Sequence, residues 1–155
     1  MDIEELDDRA LADTMTEALR RQRHLTLDRF VSTTCNEVER TVFVVWDSCA
    51  LICSGGFLYL LENDADLAEC AQCYQRIGLD EIAALFLEVL SLIPIQFRDR
   101  PHEDFGDDFS DWAEDDKVYE QFRSLDRRYF ELSEGDAVCA PLAQYIRKHK
   151  ESLSP

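Results

Sequence analysis

At 155 residues and 46% hydrophobic content, the chain has the length of one ordinary domain and enough apolar material for a buried core without disulfides or metals. Its 33 acidic side chains against 16 basic ones give a formal charge of -17, which repels bare nucleic acid and anionic lipid and so argues against direct binding to either. The amino terminus "MDIEELDDRALAD" lacks a basic segment followed by an apolar run, so a cytoplasmic address is expected, with the six cysteines as free thiols.

Ile3, Leu6, Ala10, Leu11, Met15, Ala18 and Leu19 outline a first amphipathic helix. Val31, Cys35, Val38, Val42, Val45, Cys49 and Ile52 then recur at alternating steps of four and three, which predicts one long or two collinear helices despite the β-branched "TVFVV". Between Thr41 and Leu61 the segment has the length of a membrane span, but Asp47, two glycines and the lack of a basic flank favour a buried core helix. Asp66 and Glu69 have capping-box spacing before a short helix ended by Gly78. Asp80 is the expected cap of the next, which runs through Ile82, Leu85, Phe86, Val89, Leu90 and Ile93 and stops at Pro94.

After "FRDRP" the stretch "HEDFGDDFSDWAEDD" reads as an acidic loop held by Phe105, Phe109 and Trp112. From Val118 through Phe122, Leu125, Tyr129 and Leu132 a helix returns, "SEGD" turns the chain, and a last helix carries Arg147, Lys148, His149 and Lys150 in its final turn. The expectation for residues 1–155 is a single compact all-α domain of about six or seven helices. The pair Gly55 and Gly56, in "SGGFLYLLEN", would form a corner between core helices, with Gly55 left-handed and Gly56 free of a Cβ clash.

Little in the chain suggests catalysis. A phosphate cradle at Gly55 and Gly56 lacks a preceding strand and a Gly-Lys-Ser/Thr sequence. "CAQC", Cys70 to Cys73, matches a redox or half-zinc pattern, but it falls a turn inside a predicted helix and no second Cys-x-x-Cys follows. His24, His102 and His149 are scattered. No cofactor or metal is expected, and a thiol or metal enzyme using Cys70 and Cys73 is the outlying alternative.

The acidic run offers the sharper reading. Glu103, Asp104, Asp107, Asp108, Asp111, Glu114, Asp115 and Asp116, placed rigidly, could approximate part of the phosphate array of a duplex, on which a basic protein could dock. Glu4, Glu5, Asp7 and Asp8 form a second candidate patch.

The strings "SGGFLYLLEN", "QRIGLDEIAALFLEVLSLIP" and "LDRRYFEL…LAQYIRKHK" resemble the bacterial DNA-mimic protein family, from about Val38 to Lys150. The family's signature is Asn-Gly-Gly-Phe, an asparagine beyond, and an Ile-Gly step. Gly55, Gly56, Phe57, Asn63, Ile77 and Gly78 match it, and Ser54 replaces the first asparagine. The resemblance implies an all-helical fold, frequent homodimers, and an acidic surface that occupies the DNA-binding face of a transcription regulator. An immunity-type inhibitor of a basic toxin or nuclease is the alternative use of the same charge.

Overall fold

In a computed structural model, which describes residues 2–153, the periodic stretches become seven α-helices. These are α1 (Asp8–Arg23), α2 (Glu37–Glu62), α3 (Leu67–Arg76), α4 (Asp80–Leu92), α5 (Asp107–Glu114), α6 (Asp116–Leu132) and α7 (Cys139–Lys148). There is no strand among the described residues, only an isolated bridge between Asp28 and Ala65. α2 is the axis of the fold, packed against α1, α3, α6 and α7, while α3 lies on α4 and α4 on α6.

The start of each helix follows from its capping chemistry. Asp7 accepts the Ala10 N–H at 2.8 Å, so α1 begins at Asp8 and leaves Ile3 and Leu6 ahead of it, half-buried. Asn36 accepts the Glu39 N–H at 2.9 Å while Glu39 accepts the Asn36 N–H at 3.0 Å, a reciprocal box that fixes the start of α2. Val31 and Cys35, which share the seven-residue period, therefore lie outside the helix. Asp66 caps α3 by accepting the Glu69 N–H at 3.1 Å, but the Glu69 carboxylate turns to Arg40, 2.6 Å away, instead of closing a box. Asp80 is the first residue of α4 and not its cap; Leu79 holds the cap position, and Asp80 acts there through its charge on the helix dipole.

At the other end of α3, Gly78 (φ 85°) allows Leu79 N–H to reach Tyr74 O at 2.9 Å and Gly78 N–H to reach Gln75 O at 3.0 Å, a Schellman closure. α7 ends at Lys148, so His149 and Lys150 lie beyond its last turn.

α2 is apolar enough, and long enough, to cross a membrane, but half of its most apolar stretch is buried in the protein. Val42, Phe43, Val44, Val45, Ile52, Phe57 and Leu60 have no exposed surface, as suits a helix surrounded by others. Four of its five charges are matched by neighbours, Glu37 by Arg76, Glu39 by Arg23, Arg40 by Glu69 and Asp47 by Arg20.

The core is cross-braced by aromatic rings. Phe57, Phe86 and Tyr129 meet edge to face at 5.5 to 6.3 Å, and Tyr74 lies on Phe86 at 4.9 Å. Buried hydroxyls need partners, and these find them in one another: Tyr74 Oη is 2.9 Å from Tyr129 Oη, 3.2 Å from Ser48 Oγ, and 3.1 Å from Val45 O, to which it donates.

The helical corner expected at the glycine pair sits at Gly56 alone, whose φ of 74° and ψ of -172° interrupt α2. Gly55, expected to supply the left-handed residue, does not take a positive φ. Its missing Cβ serves close approach, since a Cβ there would lie 2.6 Å from that of Tyr59. At Gly56 a Cβ would stand 2.4 Å from Asp126 Oδ2. The break frees the Phe57 N–H, and Asp126 of α6 accepts it at 2.8 Å. Ser54, at the position where the family signature has asparagine, is exposed and its hydroxyl donates to Ala50 O.

Candidate protein-binding surface

The acidic segment is a helix and not the loop expected from its charge. Phe109 and Trp112, three apart, share the inner face of α5 with Ala113 beside them, while Phe105 ends the 3-10 turn His102–Phe105 ahead of Gly106 (φ 52°) and reaches the same ring, Phe97, from there. Asp107 and Asp108 occupy its first turn, where the helix dipole favours anions. Asp115 closes the segment by accepting the N–H groups of Lys117 and Val118 at 3.0 and 3.3 Å, starting α6 without a linker.

Beneath α5 lies an aromatic cluster that fixes it to the body. Phe97 meets Phe105 at 4.9 Å, and Phe109 and Trp112 at 5.6 Å each. Trp112 in turn meets Phe122 of α6 at 5.8 Å. A second tie comes from His102, which packs on Phe109 and donates its backbone N–H to Asp64 at 2.9 Å; its Nδ1 lies 3.2 Å from both Asp64 oxygens. Asp64 sits at the end of α2 with φ 54°, so the acidic segment is anchored to the central helix as well as to α6.

Glu103, Asp104, Asp107, Asp108, Asp111, Glu114, Asp115 and Asp116 are all exposed. Among the described residues none of them forms an ion pair, whereas eleven such pairs occur elsewhere on the protein. α5 carries Asp107, Asp108, Asp111 and Glu114 within eight residues. Eight residues span about 12 Å, over which one strand of a duplex presents about three or four phosphates. The linear charge density of the helix thus matches that of one strand.

The amino-terminal patch is arranged differently. Glu4 lies 3.1 Å from Lys150 Nζ, Asp8 lies 2.7 Å from Arg147 Nη1, and Asp7 caps α1. Only Glu5 of the four is exposed with its carboxylate in no ion pair or hydrogen bond among the described residues. Asp8 ties α1 to α7, and Glu4 ties the segment ahead of α1 to the residues that follow α7.

Of the motif residues, Gly56 and Phe57 meet Asp126, Asn63 closes α2 by donating its side-chain N–H to Tyr59 O at 2.8 Å, and Gly78 closes α3. They are supports of the fold, spread over three helix ends. Cys70 and Cys73 are buried on α3; burial pushes the Cys70 thiol well up and the Cys73 thiol up to about 11, so neither supplies thiolate at neutral pH. Among the described residues no group of three or more His, Cys, Asp or Glu side chains is placed to hold a metal ion.

Asp126, Asp64 and Arg100, whose guanidinium lies 5.0 Å above the Phe105 ring, escape sequence reasoning. Asp126 finds its partner 69 positions away and Asp64 finds His102 at 38, and no local pattern marks such pairs.

A family model described as DMP19-like protein matches residues 33–149. The chain belongs to that family. No curated protein and no solved structure matches it. The matched span of this DMP19-like chain holds α2 to α7, the Gly56 break and the whole acidic helix, and leaves out α1 with Glu4, Glu5, Asp7 and Asp8. Membership places the chain among DNA-mimic proteins, binding proteins without catalytic activity whose partners are DNA-binding proteins.

Proposed function

We propose that this protein occupies the DNA-binding face of a basic regulator and competes there with DNA, through Glu103, Asp104, Asp107, Asp108, Asp111, Glu114, Asp115 and Asp116. The observation that carries the reading is the acidic helix itself: exposed carboxylates outside every ion pair of the described residues, on a helix fixed from below by rings. A fixed array loses little conformational entropy on docking, which is the advantage of a rigid imitation over a mobile acidic tail. The reading places the protein in the cytoplasm as a homodimer, supported by its free thiols and by the family resemblance.

The test is displacement of a captured host regulator from its operator DNA, read by fluorescence anisotropy. The protein should release the regulator, with an effect that fades steeply as salt is raised. The combined variant Asp107→Asn, Asp108→Asn, Asp111→Asn, Glu114→Gln should release it poorly. Equal release by that variant, or release indifferent to salt, would defeat the reading, and inhibition of a toxin in place of release would assign the immunity role.

A further inference from the structure

Beside the acidic face, the short turn Ile95–Phe97 and α5 enclose an open groove of about 480 Å³. Its apolar walls are Phe97, Phe105 and Trp112, and Asp108 and Asp111 stand at its rim. Residues three apart on a helix have Cβ atoms about 5 to 6 Å apart, so one planar fork of N–H donors can reach both carboxylates. Arg100 also lines the groove with its guanidinium over Phe105, and it forms no ion pair among the described residues. The groove therefore already holds a guanidinium against its ring wall while both rim carboxylates stay open.

We infer that this groove is a recess for an arginine side chain of the protein partner, which stacks on the Phe105 and Trp112 walls and pairs with Asp108 and Asp111. Charge complementarity and ring chemistry choose the occupant. A lysine would bring equal charge, but its compact ammonium has no plane to lay flat on a ring and does not fork between two carboxylates, so it gains less from both. Arg100 competes for the same wall, so it weakens the site and its removal opens it. This rests on the reading above and adds to it: the surface would distinguish arginine from lysine, which a uniform field of charge does not.

The experiment is calorimetric titration at low salt with an arginine hexapeptide and a lysine hexapeptide, which present equal charge. The protein should favour the arginine peptide about two- to five-fold, the gain expected of an exposed cation–ring contact. Phe105→Leu should narrow the preference while both peptides still bind, since the Trp112 wall and the two carboxylates remain. Asp108→Asn with Asp111→Asn should weaken both, and Arg100→Ala should tighten both through the lost repulsion and the arginine peptide more, because the ring wall is freed. Arg100 is exposed, so its variant remains informative even if Phe105→Leu disturbs packing. Equal affinities in the unaltered protein, a preference undiminished by Phe105→Leu, or no greater tightening of the arginine peptide than of the lysine peptide in Arg100→Ala would overturn the recess. The peptides involve no regulator, so the two ideas fail separately: release of a regulator without arginine preference removes the recess alone, and preference without release removes the regulator alone.

Discussion

Asp126 accepts the Phe57 amide across 69 positions of chain, which makes a carboxylate of α6 the cap of the second half of α2. Burial pushes the Asp126 carboxyl up from its ordinary value of 3.8, while the Phe57 N–H pulls the other way. Asp126→Ala should destabilise the protein by about 1 to 3 kcal/mol in urea unfolding, because it orphans a half-buried amide. Asp126→Asn keeps an acceptor and should cost less. The sign of the pH dependence follows from the raised value. The folded state holds this proton more tightly than the unfolded chain, so the contribution of Asp126 is fully present below about pH 3.8 and is lost as pH rises through the folded value. The unaltered protein should thus compare more favourably with Asp126→Asn in acid than at neutral pH.

The glycines of the motif should differ sharply in tolerance. At Gly56 both the positive φ and the Asp126 carboxylate oppose a side chain, and Gly56→Ala should cost several kcal/mol, about 1 to 3 from the backbone alone. At Gly78 nothing stands within 4 Å of an added Cβ, so Gly78→Ala should cost only the backbone term, about 1 kcal/mol. Thermal unfolding of the pair, measured together, checks the difference.

Much of this architecture is legible in the chain, and the exceptions share a cause. α3, α4 and α6 carry long apolar periods with polar residues between, so their apolar stripes stand out. The beginning of α2 misleads because the period runs back through Val31 and Cys35, while the local exchange between Asn36 and Glu39 decides the boundary. α5 hides behind its own charge, since the run of acids around Phe105, Phe109 and Trp112 looks like solvated loop until the ring spacing is set against Phe97 and Phe122. Of the candidate surface, the residue list is readable but its rigidity is not, because the anchors Asp64 and Phe97 come from other parts of the chain.

The buried hydroxyls give an asymmetric pair of predictions. Tyr129→Phe leaves Tyr74 with Val45 O and Ser48, and should cost about 0.5 to 1.5 kcal/mol. Tyr74→Phe leaves Ser48 with Val45 O but deprives the buried Tyr129 hydroxyl of its partner, and should cost more, about 1 to 3 kcal/mol. A double-mutant cycle by urea unfolding measures the coupling.

Thiol chemistry should separate along the burial of the six cysteines. Cys53 is exposed, whereas burial raises the Cys49 and Cys73 thiols to about 11 and Cys70 further still. A chromogenic disulfide reagent at neutral pH should show one fast equivalent, absent in Cys53→Ser, with the buried thiols reacting on unfolding.

The two acidic regions should differ in what neutralisation costs. Asp111→Asn removes no ion pair of the described residues and should change stability by no more than about 0.5 kcal/mol. Asp8→Asn loses the contact with Arg147 that joins α1 to α7, and should lower stability by up to about 1 kcal/mol. Denaturation of both at matched ionic strength distinguishes them.

The way α5 is mounted separates two kinds of selection. Phe109, the buried ring of α5, answers to the packing beneath it and the outward acids to whatever meets them in solution, and the two share no position. Descendants of such a chain can therefore exchange one clientele for another by rewriting a handful of exterior letters, with the scaffold left undisturbed.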